Sequence, residues 1–538
     1  MFDVVVVGGG IAGMQAAVHA HSKGASVALV SRTNPTRSYS ITIQDGLNAA
    51  LGPADSAEAH AKETVHAGGY LADQTVVDSV CKDAAWVVEE IDRWGAPFNR
   101  NGSAYALVQL PGSSTARGLI ADDMTGHVLT QVLYEQVLKA GIKVYEEFVV
   151  EAVATEGSAV SGVVALDLST GRFEVIEAKA VVLATGGPRR LYEPSTASLH
   201  CSGDGIAFAY RLGAPLVDME FVQYHPFVLK QSRLAVTEVL TAGARRVTAS
   251  GATITETGSA LPRAIEAAIA AGQGVNGCVS LEYDFDKGLA DRFFNTNHRV
   301  SGLAGLKLAG GKLPVRPAMH RLLGGVAVNH EGATNINGLF AVGECAGAAV
   351  HGAFGLPGNF LLASLTLARR TGRAAADYTG GRPHKPETDR LVDHAETRRL
   401  NIFRREGGAS VAALRKELAA AMHQHAGLTR NAAGLSGAAQ TVERITEDYK
   451  TAGVTSRNQD YNFGYLHHLE LGYLLDAARA IVASAAARQE SRGVHYRTDF
   501  PSPDAGHGGH HTLVTHSGGG PVAGQRPVEM SRWQPDAN

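Results

Sequence analysis

A glycine-rich turn close to the first residue constrains the fold of this chain more than any other feature. The apolar run at residues 4–7 leads into Gly8-Gly9-Gly10-Ile11-Ala12-Gly13, and a helical pattern at 14–23 and a second apolar run at 26–30 follow. The first glycine of such a motif makes the tight turn, the second lets the backbone approach a pyrophosphate, and the third lets helix and strand pack closely. The sequence therefore predicts a βαβ unit that binds a dinucleotide through Gly8, Gly10, Ile11, Ala12 and Gly13.

The end of the second strand narrows the choice of dinucleotide only in part. Ser31 and Arg32 stand where an NAD-binding unit carries an acidic residue for the ribose hydroxyl group. This departure weakens an NAD assignment, but it does not by itself select FAD. Two further apolar runs, at 180–184 and 338–342, also end in glycine. They predict one ligand-binding sheet assembled from separated segments of the chain.

Charge and cysteine content exclude several classes of protein. The 538 residues include 49 Lys and Arg and 52 Asp and Glu, a formal net charge of −3, which argues against binding to nucleic acid or to an acidic membrane surface. The four cysteines form no CxxC pair, and no apolar run reaches the ~20 residues that span a bilayer. We expect no metal site, no signal peptide and no direct membrane span. The expected location is the cytoplasm, or the inner face of a membrane through a partner.

The motifs that follow the first turn resemble those of the flavoprotein subunit of succinate dehydrogenase and fumarate reductase. The resemblance runs in order along nearly the whole chain. Its motifs lie at residues 34–40, 44–50, 121–127, 184–187, 202–205, 219–226, 237–238, 320, 324–325, 338–344, 350–353 and 490–495.

This resemblance implies that the dinucleotide is FAD. Tyr39 stands where the respiratory enzymes of the family carry the histidine that bonds covalently to the flavin, so we expect FAD to be bound non-covalently. Besides the first turn and Ser31 and Arg32, the motifs imply cofactor contacts at Ser38, Tyr39, Ser40, Gln44, Asp45, Gly46, Ala184, Thr185, Gly186, Asp204, Gly343, Glu344, Asn359 and Leu361.

The family also implies the architecture. The expected fold class is α/β: a Rossmann-like FAD-binding domain with an inserted α+β capping domain and a C-terminal helical domain. Composition places the FAD-binding domain at 1–216 and 321–387, the capping domain at 217–320 and the helical domain at 388–490. Residues 491–538, rich in Gly, Pro, Ser and His, are expected to form an extended tail that wraps on the body or is partly disordered.

Four substrate-binding positions of the family are retained. His225 and His320 match its two substrate histidines, and Thr237 and Glu238 match a pair that contacts a substrate carboxylate. The proton-donating arginine is less clear. Arg263 opens a predicted helix as in the family, but Ala264 replaces the aspartate that normally follows, and a different gap placement would put Gly258 there instead.

The substrate wall departs from the family. The arginine that clamps a substrate carboxylate is Gly355 here, within residues 351–361. Losing such a contact in a dry site costs ~2–5 kcal/mol. With Phe354 and Phe360 beside Gly355, we expect this wall to be more apolar and roomier. A relocated positive charge could come from Arg321, or from the pair Arg245 and Arg246.

Three hypotheses follow from these observations. The first is an FAD-dependent oxidoreductase that transfers a hydride between flavin N5 and a carbon–carbon bond of a carboxylate-like substrate other than succinate. The second is a genuine fumarate reductase or succinate dehydrogenase flavoprotein with an iron–sulfur subunit as its electron-transfer partner. The third is a non-catalytic flavin subunit that relays electrons. Retention of the substrate histidines argues against the third, and loss of the clamp arginine argues against the second.

Overall fold

The structure, a computed structural model, describes residues 1–198, 200–230, 232–237, 244–282, 294–306, 312–380, 388–504, 509–518 and 520–535. Its helices are α1 Ile11–His21, α2 Ala57–Ala67, α3 Gln74–Arg93, α4 Thr125–Lys139, α5 Asp204–Arg211, α6 Ala260–Ala270, α7 Phe294–Ala304, α8 Asn359–Tyr378, α9 Thr388–Phe403, α10 Val411–Ala426, α11 Ala432–Thr451 and α12 Phe463–Ala487. Short 3₁₀ turns lie at Pro35–Arg37, Tyr39–Thr42, Arg189–Leu191 and Gly343–Cys345.

The strands are β1 Phe2–Val7, β2 Val27–Ser31, β3 Leu47–Asn48, β4 Arg100–Asn101, β5 Ala104–Tyr105, β6 Gly118–Leu119, β7 Lys143–Glu146, β8 Phe148–Glu156, β9 Ala159–Asp167, β10 Phe173–Leu183, β11 Leu216–Val217, β12 Val222–Leu229, β13 Arg245–Val247, β14 Thr253–Ile254, β15 Val279–Glu282, β16 Lys312–Leu322, β17 Gly325–Ala327, β18 Leu339–Ala341, β19 Ala346–Gly347, β20 His510–Ser517 and β21 Gly520–Pro527.

The central sheet is parallel at its core, as the βαβ unit predicts. Strand β1 pairs with β2 on one side and β10 on the other, and β7 and β18 extend the two sides in parallel. Val4, Val5 and Val6 are all fully buried, because helices and strands cover both faces of this sheet. The separated glycine-ended runs do assemble into one sheet, so this prediction is confirmed.

A second, antiparallel sheet forms most of the segment that looks inserted. Its strand order is β12-β16-β15-β13-β14, and helix α6 packs against β12 and β16. A separate core of apolar residues holds this unit together and includes Phe227, Ile265, Leu281 and Leu313. The fold class is therefore an α/β FAD-binding domain with an α+β capping unit, as expected. The sequence boundaries given for the domains remain predictions.

The C-terminal helices α10, α11 and α12 pack on one another, and their apolar residues join the same core as the central sheet. The tail after them is more ordered than the sequence suggests. Strands β20 and β21 form a hairpin, and β20 pairs with β11. Residues 510–517 and 520–527 thus form extended strands attached to the body of the protein, which agrees with the first of the two expectations for the tail and not with disorder.

Buried charges hold the hairpin in place. Arg488 forms an ion pair with Glu220 and donates to the carbonyl of His510, and Thr512 Oγ1 donates to Glu220 at 2.9 Å. Asp218 Oδ2 lies 2.6 Å from His511 Nδ1. A tail histidine that could have suggested metal binding thus has a structural partner.

The four cysteines form no disulfide bond. Cys81, Cys201, Cys278 and Cys345 are free and buried. Over the part of the chain that the structure describes, no helix combines the length and the apolar character that crossing a bilayer requires.

Candidate functional site

A long cavity lies at the carboxyl ends of β1, β2 and β10, where an open α/β sheet binds its ligand. Most of the predicted cofactor positions line it: Gly8, Gly10, Ile11, Ala12, Ser31, Arg32, Ser38, Tyr39, Ser40, Ala184, Thr185, Gly186, Asp204, Gly343, Glu344 and Leu361. These residues come from six separate chain segments (8–12, 31–40, 184–186, 204, 343–344 and 361), so the fold brings the motifs together.

The glycines of the first turn leave no room for side chains. A Cβ on Gly13 would lie 1.9 Å from the carbonyl oxygen of Gly8, and one on Gly8, at φ +117°, would lie 2.3 Å from that of Ala184. Gly10 is the N-cap of α1 and supplies no side-chain cap. The bare backbone at the start of α1 is therefore shaped for a phosphate group, which fits a dinucleotide.

Buried polar atoms in the same cavity point to a polar ligand. Within the described residues, Ser38 Oγ, Asp204 Oδ1 and Arg189 Nη1 are buried and make no hydrogen bond. Buried polar atoms almost always have a partner. The residues present therefore fit a bound FAD, whose hydroxyl and phosphate groups could satisfy such atoms.

Acidic groups reach the end of β2 from distant parts of the chain. Arg32 Nη1 donates to Glu470 at 2.6 Å, and its Nη2 lies 3.5 Å from Asp204. Burial raises the pKa of Asp204, and the adjacent Arg32 opposes that rise. The second strand lacks a carboxylate at its own end, and the carboxylates of Asp204 and Glu470 lie beside that end in the folded chain.

Five predicted cofactor residues lie outside this cavity's lining. Gly13 packs against Gly8, and Gln44 is buried. Asp45 and Gly46 line a second, adjacent cavity. The amide of Asn359 is engaged by Asn48, His60 and Thr64 at 2.8–2.9 Å, which anchors the first turn of α8.

Sequence reasoning missed two residues of the cofactor region, Arg189 and Thr196. Arg189 forms a bidentate ion pair with Glu344, and its guanidinium lies 4.3 Å from the ring centre of Tyr39. Thr196 Oγ1 bridges Tyr39 Oη at 3.1 Å and His320 Nδ1 at 2.9 Å. Both residues lie in sequence between the motifs at 184–187 and 202–205. Because both motifs border the cofactor cavity, the segment that joins them could have been predicted to lie beside it.

The second cavity contains both predicted substrate histidines. His225 lies on β12 and His320 on the neighbouring strand β16, and their ring centres are 5.2 Å apart. The remaining lining residues are Ile43, Asp45, Gly46, Gln223, Tyr224, Arg321, Pro357, Gly358, Phe360 and Leu361. Arg321 and Leu361 also line the cofactor cavity, so the two spaces are adjacent.

The two histidines are neutral at neutral pH. Burial lowers the pKa of His225 to about 4. Burial, followed by the charge of Arg321, lowers the pKa of His320 well below its ordinary value. The backbone N–H of Phe227 donates to Nδ1 of His225 at 3.1 Å. The proton of His225 therefore resides on Nε2, which can donate a hydrogen bond to a substrate oxygen.

The predicted carboxylate-binding pair is only partly visible. Thr237 Oγ1 donates to Asp45 Oδ1 at 2.7 Å, so this threonine reaches a residue of the second cavity. Glu238 lies outside the described residues.

Arg263 lies away from the histidines' cavity lining. Its Nη1 donates to the carbonyl of Ser259 at 3.0 Å, and its guanidinium lies 4.5 Å from the ring centre of Tyr496. These contacts tie the start of α6 to the C-terminal segment. They give Arg263 a structural role, and it is not among the described residues that line the histidine cavity, so its assignment as proton donor remains a prediction.

The wall around Gly355 is apolar but not roomy, so the expectation of extra space is wrong. A Cβ on Gly355 would lie 2.1 Å from the tip of the Phe360 ring. The same ring stacks on His351, with ring centres 4.2 Å apart. Phe360 therefore occupies the path that a side chain at position 355 would take.

Of the relocated charges considered above, only one reaches this wall. The exposed side chain of Arg245 pairs with Glu282, and Arg246 donates to the carbonyl of Glu256, both within the capping unit. The guanidinium of Arg321 instead lies 4.2 Å from the ring centre of Phe360.

Comparisons with known proteins agree with this arrangement. A family model described as an FAD binding domain matches residues 3–361, and one described as the fumarate reductase flavoprotein C-terminal region matches 415–538. The fumarate reductase flavoprotein subunit of Mycobacterium tuberculosis is 32% identical, over 99% of this chain and 98% of its own. The succinate dehydrogenase flavoprotein subunit of Rickettsia bellii is also 32% identical, over 98% of this chain and 96% of its own.

Solved structures give the same result. FrdA, from a mutant Escherichia coli quinol fumarate reductase, superposes with a TM-score of 0.94 at 28% identity, covering 100% of this chain and 98% of that one. The adenylylsulfate reductase of Archaeoglobus fulgidus, at 18% identity and a TM-score of 0.82, shares the fold.

The fold and the two adjacent cavities define an FAD-dependent oxidoreductase that acts on carbon–carbon bonds. More specifically, the chain belongs to the family of fumarate reductase and succinate dehydrogenase flavoprotein subunits.

Proposed function

We propose that this protein exchanges a hydride between FAD and a carbon–carbon bond beside a carboxylate, in a substrate other than succinate or fumarate. The observation that carries the proposal is the paired change at Gly355 and Phe360. The position that would hold a clamp arginine has no side chain, and an aromatic ring fills the space that such a side chain would need.

The loss of the clamp arginine favours a substrate that differs from succinate and fumarate, rather than weaker binding of those two acids. A carboxylate placed at the tip of the Phe360 ring, beside Gly355, would lose its water without gaining the arginine partner that the family has there, which costs several kcal/mol. A neutral or apolar group at that end of the substrate avoids this cost.

The remaining residues of the cavity support chemistry as well as binding. FAD, when bound, supplies a hydride donor or acceptor at its N5 atom. His225 presents Nε2–H to the cavity and can polarise a substrate oxygen, while the neutral ring of His320 is oriented by Thr196. A donor fixed by a second partner, as His225 Nε2 is fixed by the N–H of Phe227 on its Nδ1, is preorganised for a developing negative charge on the substrate. Such a constellation argues against a purely electron-relaying subunit.

An anaerobic stopped-flow experiment tests this proposal with a matched pair of acceptors. Fumarate and its monomethyl ester share the same activated alkene, but the ester carries one carboxylate and one neutral group. FAD-loaded protein is reduced, mixed with each compound, and followed at the flavin absorbance band. We expect faster reoxidation by monomethyl fumarate. Faster reoxidation by fumarate would overturn the proposal and favour a genuine fumarate reductase. A response to O₂ alone would indicate an oxidase.

We also propose that the chain works as one subunit beside an iron–sulfur protein. The support is the match of its C-terminal region to the fumarate reductase flavoprotein model and the "flavoprotein subunit" naming of its relatives. Affinity-tagged chain isolated from its native cell should carry iron and acid-labile sulfide in a constant ratio to flavin. Flavin-loaded protein free of both, and still active with a small-molecule electron donor, would contradict the proposal.

A further inference from the structure

The cavity that holds the two histidines contains a guanidinium without an ionic partner. Within the described residues, the side chain of Arg321 makes no ion pair and no hydrogen bond, and its guanidinium lies over the face of Phe360, 4.2 Å from the ring centre. Arginine carries its positive charge at any physiological pH. A buried, unpaired charge of this kind is costly and is usually retained for a ligand.

The nearest acidic side chains are already engaged. Glu344 accepts from both Nε and Nη2 of Arg189 and also accepts the backbone N–H of Leu322 at 3.0 Å. Asp45 accepts from Thr237 at 2.7 Å. Arg189 therefore takes the carboxylate that Arg321 could otherwise use, and Arg321 stays available to an incoming anion.

The position of Arg321 suits a substrate contact. It borders the cofactor cavity and the histidine cavity, so an anion bound there would lie where the two spaces meet. It follows His320 directly on β16, and its backbone is in register with Gln223 on β12. The pairing of β12 and β16 thus fixes its place relative to both histidines.

We propose that Arg321 binds the carboxylate of the substrate, and that it selects acids with a single carboxylate next to the reacting bond. The inference rests on the proposed function and adds the substrate class and the residue that recognises it. Arg321, over the face of the Phe360 ring, replaces the positive charge that position 355 lacks at the tip of the same ring.

The charges around Arg321 explain the preference for one carboxylate. Arg321 is the only Lys or Arg among the described residues that line the histidine cavity, and both histidines there are neutral. A second carboxylate would face Asp45 or the apolar side chains of Ile43, Phe360 and Leu361. Repulsion and unpaired burial would both disfavour it.

The test measures binding of two saturated acids to fully reduced, FAD-loaded protein under anaerobic conditions, by flavin difference spectra and by calorimetry, because neither acid can transfer a hydride to a flavin that is already reduced. Monomethyl succinate carries one carboxylate and succinate carries two, on the same four-carbon skeleton. We expect monomethyl succinate to bind wild-type protein more tightly than succinate. Arg321→Gln should lower the affinity for monomethyl succinate by ~30-fold or more, which is the loss expected when one partner of a buried charge pair is removed.

Matched controls separate this effect from a general loss of charge. Arg245→Gln and Arg246→Gln remove the two other candidate arginines, whose contacts lie within the capping unit, and should leave both affinities unchanged. Arg321→Lys keeps the charge but loses the planar fork, so its affinity should fall between those of wild type and Arg321→Gln. Because Arg321 also borders the cofactor cavity, the FAD content of every variant is measured first.

The outcomes of the two proposals are distinguishable. Equal binding of monomethyl succinate by wild type and Arg321→Gln, or tighter binding of succinate by wild type, would overturn the role of Arg321. In that case the proposed function would still be supported if monomethyl fumarate reoxidised the reduced flavin. Conversely, Arg321-dependent binding without any reoxidation would overturn the proposed reaction and leave the binding site in place. If Arg321→Gln fails to fold, the comparison of Arg321→Lys with wild type decides.

Discussion

The cofactor cavity and the histidine cavity share a wall, yet they have diverged to different extents. The cofactor side keeps the glycine turns and their close backbone contacts, whereas the histidine side has Gly355 and Phe360 where the resemblance implies a clamp arginine and its neighbour. The cofactor is held largely by backbone geometry, which tolerates almost no change. The substrate is held by side-chain ends, which can be exchanged one at a time.

Tyr39 is the exception on the cofactor side, and it gives the largest expected effect. Denaturation of the purified protein with acid should release essentially all of its FAD into the supernatant, because tyrosine replaces the flavin-linking histidine. Absorbance of the supernatant and pellet measures the partition. If flavin stayed with the pellet, the same assay on Tyr39→Phe would show whether the tyrosine itself carries the bond. Such a bond would mean that the cofactor side has changed its chemistry too.

Restoring the clamp should move the substrate side back toward a dicarboxylate. In the double variant Gly355→Arg with Phe360→Ser, the new side chain has room, and a bidentate contact contributes ~2–5 kcal/mol. We expect fumarate to bind ~30-fold to several thousand-fold more tightly than in wild type.

The single variants are the controls for this restoration. Gly355→Arg alone should not bind fumarate more tightly, because its Cβ already meets the Phe360 ring at 2.1 Å. Phe360→Ser alone should not do so either, because it adds space without charge. A gain in either single variant equal to that of the double variant would show that the ring and the missing arginine are not linked.

The cofactor side should not tolerate even one methyl group at the third glycine of the turn. Gly13→Ala places a Cβ 1.9 Å from the carbonyl oxygen of Gly8, and overpacking of this kind costs about 3 kcal/mol. We expect loss of bound FAD and a lower midpoint in urea unfolding. Gly437→Ala on α11, where nothing lies within 4 Å of the new Cβ, is the control and should be neutral or stabilising. Unchanged FAD affinity in Gly13→Ala would refute the idea that backbone contact limits change here.

A smaller effect should come from His60, which supports α8, the helix that begins at Asn359 and carries Phe360. Burial lowers the pKa of His60 to about 4, from an ordinary value of 6.5. The unfolded chain therefore binds a proton at a higher pH than the folded chain, and the stability from His60 is lost as pH falls from 6.5 toward 4. This loss amounts to about 2 kcal/mol by pH 5.

Urea unfolding at pH 7 and pH 5 measures that loss. His60→Gln should show a smaller difference between the two pH values than wild type, because glutamine does not titrate. His21→Gln, at an exposed position, should behave as wild type. The readout is the pH dependence, so a uniform loss of stability from the lost contact with Asn359 does not affect it. An unchanged pH dependence in His60→Gln would rule out His60 as a contributor.

The features that sequence predicts well are local ones. Strand β1, the glycine turn and α1 follow from one another within about twenty residues, because the turn chemistry and the apolar periodicity agree. The two histidines could be assigned through ordered motifs. Their approach to 5.2 Å, however, depends on the pairing of β12 with β16, across a segment of nearly a hundred residues.

What sequence could not predict depends on side chains that meet across the fold. The ring of Phe360 fills the space at Gly355 because the first turn of α8 folds back toward the preceding loop. Arg321 could be named only as one of several candidate charges, because the engagement of Glu344 by Arg189 is invisible in the linear order. Arg263 follows the family pattern in sequence, yet its contacts are with Ser259 and Tyr496.

The terminal hairpin has a consequence for how the molecule is made. Strand β20 completes a sheet with β11, and His511 contacts Asp218 across 293 positions of sequence. A ribosome must therefore synthesise the chain through β20, about 300 residues beyond β11, before this sheet can close. Until the hairpin forms, Glu220 and Asp218 lack the hydrogen bonds to Thr512 that they have in the folded protein. Products of premature termination would expose these carboxylates and an unpaired strand edge, a state that protein quality control can distinguish from the complete enzyme.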